Sequence, residues 1–256
     1  MSDAPRLERI DLSQEGATAV LTIHSDKVNA LDRATLDELA AAVAWCEADN
    51  GVRALVLTGH GEIFSAGLNV NEVLSEGKGH ADVILEALQT ALARLFACPL
   101  PTVAAVNGSA IAGGALLACA CDRRLIAEEA RIGVTELQVG VAFPVGAVDL
   151  LRHVCGHRAE ELILGAQLLK ADQAVSIGLA HASAPRAELF AAAFAAAERL
   201  AAMDPRAYAL AKVATRQDAL RSIEDEPARS LEQQVREHWK DDRTRESLER
   251  LLQPKR

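Results

Sequence analysis

The chain has 256 residues and carries 27 Lys plus Arg against 36 Asp plus Glu, which gives a formal net charge of −9. This length allows one α/β domain, or one domain with a helical appendage. The acidic balance, with no cluster of basic residues, disfavours nucleic acid and anionic membrane surfaces as partners. The first residues contain no apolar signal region and no long uncharged apolar run occurs, so we expect a soluble, cytoplasmic protein.

Strands and helices alternate through the first half of the sequence. In chain order we predict a strand at 18–23, a helix at 34–49, a strand at 53–59, a helix at 80–97, a strand at 102–108, a helix from 114 onward and a strand at 123–129. Asp32 is the expected N-cap of the first helix. The strands are continuously apolar, which favours an α/β fold whose sheets are covered by helices.

The pattern becomes helical from Val145 onward and stays so. We therefore divide the chain into a core at 1–190 and a C-terminal helical region at 191–256. The stretch 186–221 is rich in alanine, and 223–252 carries dense mixed charge. Such a region either packs on a neighbouring subunit or is a solvated helical surface, and the sequence leaves both interpretations open.

Two glycine-containing turns are candidates for chemistry. FSAGLNVNEV at 64–73 and NGSAIAGGALL at 107–117 each combine a strand end, glycine and a following helix. Backbone amides at a helix N-terminus bind partial negative charge, and two such turns together would form an oxyanion hole. Taken alone, a turn of this kind is more often simple packing, and the spacing fits neither a Rossmann fingerprint nor a P-loop.

Four segments together resemble the crotonase superfamily of enoyl-CoA hydratases and isomerases. They are KVNALD at 27–32, VRALVLTGHGEIFSAGLNVNE at 52–72, PTVAAVNGSAIAGGALLACACDRRLIAEEARIG at 101–133 and TELQVGVAFP at 135–144. The resemblance implies a spiral of ββα units with a C-terminal helical region that forms trimers or dimers of trimers. It also implies an acyl-CoA thioester substrate from fatty acid metabolism and no cofactor beyond the coenzyme A of that substrate.

The resemblance assigns the oxyanion donors to the backbone amides of Leu68 and Gly113. They would hold the thioester carbonyl and stabilise an enolate, and glycine at 113 would let the backbone approach closely. The substrate-binding positions that it implies are Lys27, Ala30, Ala66, Gly67, Leu68, Asn69, Val70, Gly113, Leu116 and Thr135. For Lys27, contact with the phosphates of coenzyme A competes with the alternative of a solvated lysine.

The proton-handling positions depart from the hydratases of this family. Those enzymes carry two glutamates that hold the attacking water, and the matching positions here are Leu116 and Glu136. Leucine neither bonds a water nor exchanges a proton. A single carboxylate suffices for isomerisation of a 3-enoyl to a 2-enoyl thioester, and the resemblance to single-glutamate 3,2-enoyl-CoA isomerases favours that reaction. We further expect Leu116 to lie beside the acyl chain, exclude water and raise the pKa of Glu136.

Three functions stay open at this point. The first is a 3,2-enoyl-CoA isomerase with Glu136 as its acid and base. The second is a hydratase or another acyl-CoA lyase of the same family, and the third is a non-catalytic acyl-CoA-binding protein in which Glu136 is an ordinary surface or ion-paired acid.

Further polar residues are expected to have no catalytic role. We expect Asp122 and Arg124 to be structural residues. The seven histidines and five cysteines show no metal-ligand spacing, so we expect no metal and reduced thiols.

Overall fold

The computed structural model describes residues 5, 7–224 and 226–253, so that 1–4, 6, 225 and 254–256 lie outside the description. The strands are β1 Ile10–Glu15, β2 Thr18–Ile23, β3 Ala54–Gly59, β4 Ile63–Ser65, β5 Thr102–Val106, β6 Ser109–Ile111, β7 Arg123–Ala127, β8 Arg131–Gly133, β9 Leu168–Lys170 and β10 Ala182–Ala184. The helices are α1 Arg33–Ala48, α2 Val70–Ser75, α3 His80–Ala97, α4 Gly113–Ala120, α5 Val145–Cys155, α6 Arg158–Leu164, α7 Ala171–Ser176, α8 Arg186–Ala201, α9 Pro205–Glu224, α10 Glu226–Lys240 and α11 Asp242–Leu252. A 3-10 helix occupies Glu136–Val139.

The strands form two sheets. The larger has the order β1-β2-β3-β5-β7-β10, and all its pairings are parallel except β1 with β2. The smaller has the order β4-β6-β8-β9, in which only β8 and β9 are antiparallel. In each of three successive repeats the first strand (β3, β5, β7) joins the larger sheet and the second (β4, β6, β8) joins the smaller. This is the predicted spiral of ββα units.

Local sequence explains the elements that were predicted. The Asp32 carboxylate accepts a hydrogen bond from the Thr35 amide at 2.7 Å and so caps α1 as expected. All five residues of β5 are buried, and α8 packs against this strand and its neighbours in the larger sheet. The predicted strands at 18–23, 53–59, 102–108 and 123–129 correspond to β2, β3, β5 and β7.

The prediction of an unbroken helical pattern after Val145 was wrong, because two short strands interrupt it. β9 pairs with β8, and β10 pairs with β7 at the edge of the larger sheet. Each has three residues, which is too short for a periodic pattern to appear in the sequence. The expected boundary between 190 and 191 falls inside α8, which packs against β3, β5 and β7.

Helix α9 buries polar side chains and exposes apolar ones. Lys212 and Arg216 are buried against the core, whereas Leu210 and Val213 are 63% and 55% exposed. Both buried cations bind the carboxylate of Asp122, at 2.9 Å for Lys212 and 2.6 Å for Arg216. This anchors α9 to the end of α4 and agrees with the structural role expected of Asp122. Among the described residues, no helix combines the length and the apolar character that crossing a membrane requires.

Candidate active site

The two glycine-containing turns lie directly against each other. Gly67 has a φ of 91°, and a Cβ at this position would lie 2.9 Å from the Ile111 carbonyl oxygen and 3.3 Å from the Gly113 amide nitrogen. Only glycine combines this conformation with so close an approach. The turn after β4 and the turn before α4 therefore form one backbone surface that contains the amides of Leu68 and Gly113.

The segment before α1 fixes the first turn. The Leu31 amide donates to the Gly67 carbonyl at 2.8 Å, and the Asn69 amide donates to the Leu31 carbonyl at 2.9 Å. In such a bridge alternate groups of the strand face the partner. The amide of Leu68, between these two bonds, has no acceptor among the described residues.

The second turn presents the start of α4. Ala112 has φ 51° and ψ −123°, a conformation rare for a residue with a side chain, and its amide donates to the Gly133 carbonyl at 2.9 Å. Gly113 follows as the first residue of the helix, where an amide has no intrahelical acceptor. Within the described chain no other group accepts from it.

The close backbone approach that was expected of Gly113 is made by its neighbour. A Cβ at Gly114 would lie 2.5 Å from the Ser65 carbonyl oxygen, whereas one at Gly113 would lie 3.4 Å from Leu31 Cδ1, an ordinary contact. Glycine is thus required sterically at 67 and 114. The contribution of Gly113 is its amide.

Both amides border a cavity of about 420 Å³, which we call the acid cavity. Its walls are largely apolar, and several come from the C-terminal helices, through Trp239, Leu248 and Leu251. The Trp239 indole donates to the Ala142 carbonyl at 2.9 Å, and Arg245 ties α11 to α2 by donating to the Leu74 carbonyl at 2.9 Å. The sequence did not predict these walls, because their apolar positions lie in a highly charged segment far along the chain.

Glu136 is the only ionisable side chain lining the acid cavity in the described part of the protein. It is 8% exposed, and its Oε2 atom has no hydrogen-bond partner. Burial raises the pKa of Glu136 to about 7, against the opposing effect of hydrogen bonds from the Glu136 and Thr135 backbone. A carboxyl group with this pKa accepts and returns a proton near neutral pH.

Six of the predicted site residues line the acid cavity together, namely Ala66, Leu68, Val70, Gly113, Thr135 and Glu136. The others lie off its surface. Lys27 is exposed, Ala30 and Gly67 are buried, and Asn69 caps α2 by accepting from the Glu72 amide at 3.3 Å. Leu116 is fully buried in the core and does not line the acid cavity. Burial of Glu136 raises its pKa, and the expected contribution of Leu116 as a neighbouring wall is absent.

Cysteine and metal chemistry contribute little to this region. All five cysteines are buried and unpaired, as predicted, and burial raises the pKa of Cys119, on α4, to about 12. No cluster of three or more His, Cys, Asp or Glu side chains suited to a metal ion occurs within the described residues.

The fold and the site together define a class of enzyme. A buried acid, poised near neutrality in an apolar cavity with two free amides, suits removal of a proton beside a carbonyl whose oxygen the amides hold. The chain belongs to the enoyl-CoA hydratase/isomerase family, whose model matches residues 13–254.

Similar proteins carry both of the names in that description. A probable enoyl-CoA hydratase of Bacillus subtilis is 35% identical over 207 residues, which cover 79% of this chain and 80% of the relative. The human mitochondrial enoyl-CoA delta isomerase 1 is 32% identical over 202 residues, or 77% of this chain and 67% of the relative. The crystal structure of human mitochondrial delta3-delta2-enoyl-CoA isomerase matches with a TM-score of 0.90 and 27% identity, covering 96% of this chain and 97% of that one.

Proposed function

We propose that the protein is a 3,2-enoyl-CoA isomerase in which Glu136 is the single acid and base. The observation that carries this proposal is that Glu136 is the one ionisable group among the described residues that line the acid cavity. Leu116, where the hydratases of the family place their first glutamate, is fully buried and lies outside the lining. No second carboxylate is therefore available there to hold an attacking water.

The reaction follows from the positions of three groups. The thioester oxygen accepts hydrogen bonds from the Leu68 and Gly113 amides, and Glu136 removes a proton from C2 of the 3-enoyl chain. The electrons of that bond spread over a dienolate, and Glu136 returns the proton to C4, which leaves the double bond between C2 and C3. One well-placed main-chain donor is worth roughly 3–4 kcal/mol in acyl-transfer enzymes, and an enolate oxygen presents similar charge. The reaction moves one proton from C2 to C4 with no net oxidation or reduction, so it needs no cofactor.

The acyl-CoA substrate would enter along the turn after β4. Ala66 and Val70 line the route. Asn69 belongs to the same turn, and Lys27 and Ala30 belong to the segment before α1 that is hydrogen-bonded to it, which favours these three residues for contact with the coenzyme A portion. The acyl chain would lie against Leu88, Trp239 and Leu251, which form an apolar wall. Burial of each methylene there contributes about 0.8 kcal/mol, so the cavity favours a hydrocarbon chain.

The proposed assembly is a homotrimer or a dimer of trimers. Leu210 and Val213 are exposed on α9, whereas the buried face of this helix holds Lys212 and Arg216. Exposed apolar side chains in this position favour contact of α9 with another subunit. Large exposed apolar side chains grouped on one helix face are typical of a subunit interface.

A hydratase is the second candidate, because the Bacillus subtilis relative carries that name. In that case a water would have to be activated by Glu136 with a partner from outside the cavity lining. A non-catalytic binding protein is the third, since the two amides alone would still hold a thioester.

Two substrates separate these candidates. The purified protein is incubated with 3-hexenoyl-CoA and, separately, with crotonyl-CoA, and the conjugated thioester and the hydrated product are measured. We expect rapid conjugation of the first and no hydration of the second. Hydration of crotonyl-CoA at an enzymatic rate supports the hydratase, and binding of both without conversion supports the carrier.

Glu136→Gln tests the residue assignment. Loss of the acid and base is expected to lower kcat for isomerisation by about 10²–10⁴-fold with retained thioester binding. Glu160→Gln, on the exposed surface of α6, is the matched control and should keep full activity. Full isomerase activity in Glu136→Gln would overturn the assignment.

A further inference from the structure

A second cavity, of about 180 Å³, lies at the C-terminal end of α4, and we call it the arginine cavity. Its polar lining comes from β7, α5, α9 and the turn before β10, through Asp122, Arg124, His153, His181 and Arg216. None of these residues lines the acid cavity. The proposed isomerisation therefore leaves this cavity without a role.

Positive charge exceeds negative charge around the arginine cavity. Asp122 is the carboxylate, and both of its oxygens are occupied: Oδ1 by Lys212 and Arg216, Oδ2 by the Tyr208 hydroxyl at 2.9 Å. Arg124 has no carboxylate within ion-pairing distance in the described part of the chain. Three buried cations thus share one anion.

The guanidinium of Arg124 has one unused edge. This residue is 4% exposed, its Nε donates to the Leu179 carbonyl at 2.7 Å, and its Nη1 donates to the Cys121 carbonyl at 2.8 Å. Nη2 has no acceptor among the described residues. Solvent reaches this edge through the cavity, so a ligand that enters can supply both the missing acceptor and the counter-charge.

Two histidines supply further donors at the rim. His181 Nδ1 accepts from the Arg124 amide at 3.1 Å, which leaves the proton of the neutral ring on Nε2. His153 packs edge-on against Phe96. Both side chains are solvent-exposed at the mouth of the cavity, and partial desolvation, with the positive charges of the nearby arginines, lowers the pKa of His153 and lowers that of His181 to about 4. Both rings are therefore neutral at pH 7, and each carries one N–H.

We propose that the arginine cavity binds a small oxyanion of the phosphate class, held by Arg124 Nη2 and the histidine N–H groups, with Arg216 behind it. A tetrahedral oxyanion accepts from several converging donors and cancels the excess charge, and its bonds to guanidinium are charge-assisted. Sulfate and carboxylate share part of this chemistry. Bound anion stabilises the folded chain because the unfolded chain has no such site.

The test measures the melting temperature while inorganic phosphate replaces chloride at constant ionic strength. We expect a rise of about 2–4 °C when phosphate reaches roughly ten times its Kd, for a chain of this size, and a further logarithmic increase at higher concentration. Sulfate should act similarly and acetate less. ³¹P NMR line broadening should report the same Kd. An unchanged melting temperature, or line broadening that does not saturate with phosphate concentration, would overturn the proposal.

Variants at the rim keep the test independent of folding, since loss of Arg124 would also break its bonds to the core. His153→Ala and His181→Ala should each weaken phosphate binding by five-fold or more. His157→Ala, an exposed histidine nearby in sequence that does not line the cavity, is the matched control and should leave the Kd unchanged. Unchanged phosphate affinity in both rim variants would contradict the site.

Light scattering separates direct binding from an effect on assembly. The mass of the protein in solution is expected to stay constant across the phosphate titration. A change of mass that parallels the rise in melting temperature would place the stabilisation at a subunit contact and overturn the proposed cavity site.

Discussion

The two ends of α4 differ in how their backbone groups are satisfied. At the N-terminal end the Gly113 amide has no acceptor among the described residues, and Gly113 lines an apolar cavity together with an acid whose Oε2 atom has no hydrogen-bond partner. At the other end the Cys121 and Ala120 carbonyls accept from Arg124 and Arg216. The same buried helix is therefore anchored at one end and left unsatisfied at the other. The end with the unpaired amide is the one that borders the proposed active site, and the other end carries the bonds that hold the helix in place.

The largest expected effect comes from breaking the anchored end. Asp122→Asn leaves Lys212 and Arg216 buried without a counter-charge, which should lower the free energy of unfolding by about 3–5 kcal/mol. Urea denaturation measures it. Asp172→Asn, at an exposed position of α7, is the control and should change stability by less than about 0.5 kcal/mol. A loss below about 1 kcal/mol for Asp122→Asn would show that the anchor lies elsewhere.

At the unsatisfied end, Glu136 should lower stability as pH rises. Burial raises its pKa from 4.5 to about 7, so between these values the folded protein retains a proton that the unfolded chain releases. The favourable contribution is complete below about pH 4.5 and is lost as pH rises through 7. Glu136→Gln should therefore exceed the parent by up to about 3 kcal/mol above pH 7 and match it near pH 4.

Urea denaturation across this pH range checks the prediction. The same variant is expected to lose isomerase activity, so stability and activity would change in opposite directions. A stability difference that is independent of pH would show that ionisation of Glu136 is not its cause.

The smallest effect distinguishes the two glycines at the start of α4. Gly114→Ala places a methyl group 2.5 Å from the Ser65 carbonyl oxygen, and relief of this overlap should cost about 1–3 kcal/mol. Gly113→Ala makes only ordinary contacts and should stay within about 1 kcal/mol of the parent. Thermal unfolding of the pair measures the difference. Equal losses would contradict the assignment of the close approach to Gly114.

Sequence patterns predicted the elements whose signal is local. The cap at Asp32 and the apolar runs of β2, β3, β5 and β7 need only neighbouring residues, and each was confirmed. The strands β4, β6, β8, β9 and β10 have three residues each, and their positions depend on pairing partners distant in the chain. Three residues are too few for the alternation of apolar and polar side chains that marks a strand in a sequence.

In the candidate site, too, the features with a local sequence signal were predicted and those that depend on distant residues were not. Its two turns and Glu136 were predicted from contiguous motifs, and the structure brings them to one cavity. Leu116 was expected beside the substrate, but it is fully buried and does not line the cavity, which a sequence motif without coordinates does not show. Trp239 and Leu248 were missed, since no motif connects them with residues a hundred positions earlier.

The walls supplied by Trp239, Leu248 and Leu251 make the acidity of Glu136 a property of the whole folded chain. A ribosome completes both turns and the acid about a hundred residues before it reaches Trp239. Until α10 and α11 dock, the acid cavity lacks these walls, and the carboxyl group is less shielded from water. The chemistry proposed for Glu136 therefore depends on the closure of the fold, long after this residue and both turns have been translated.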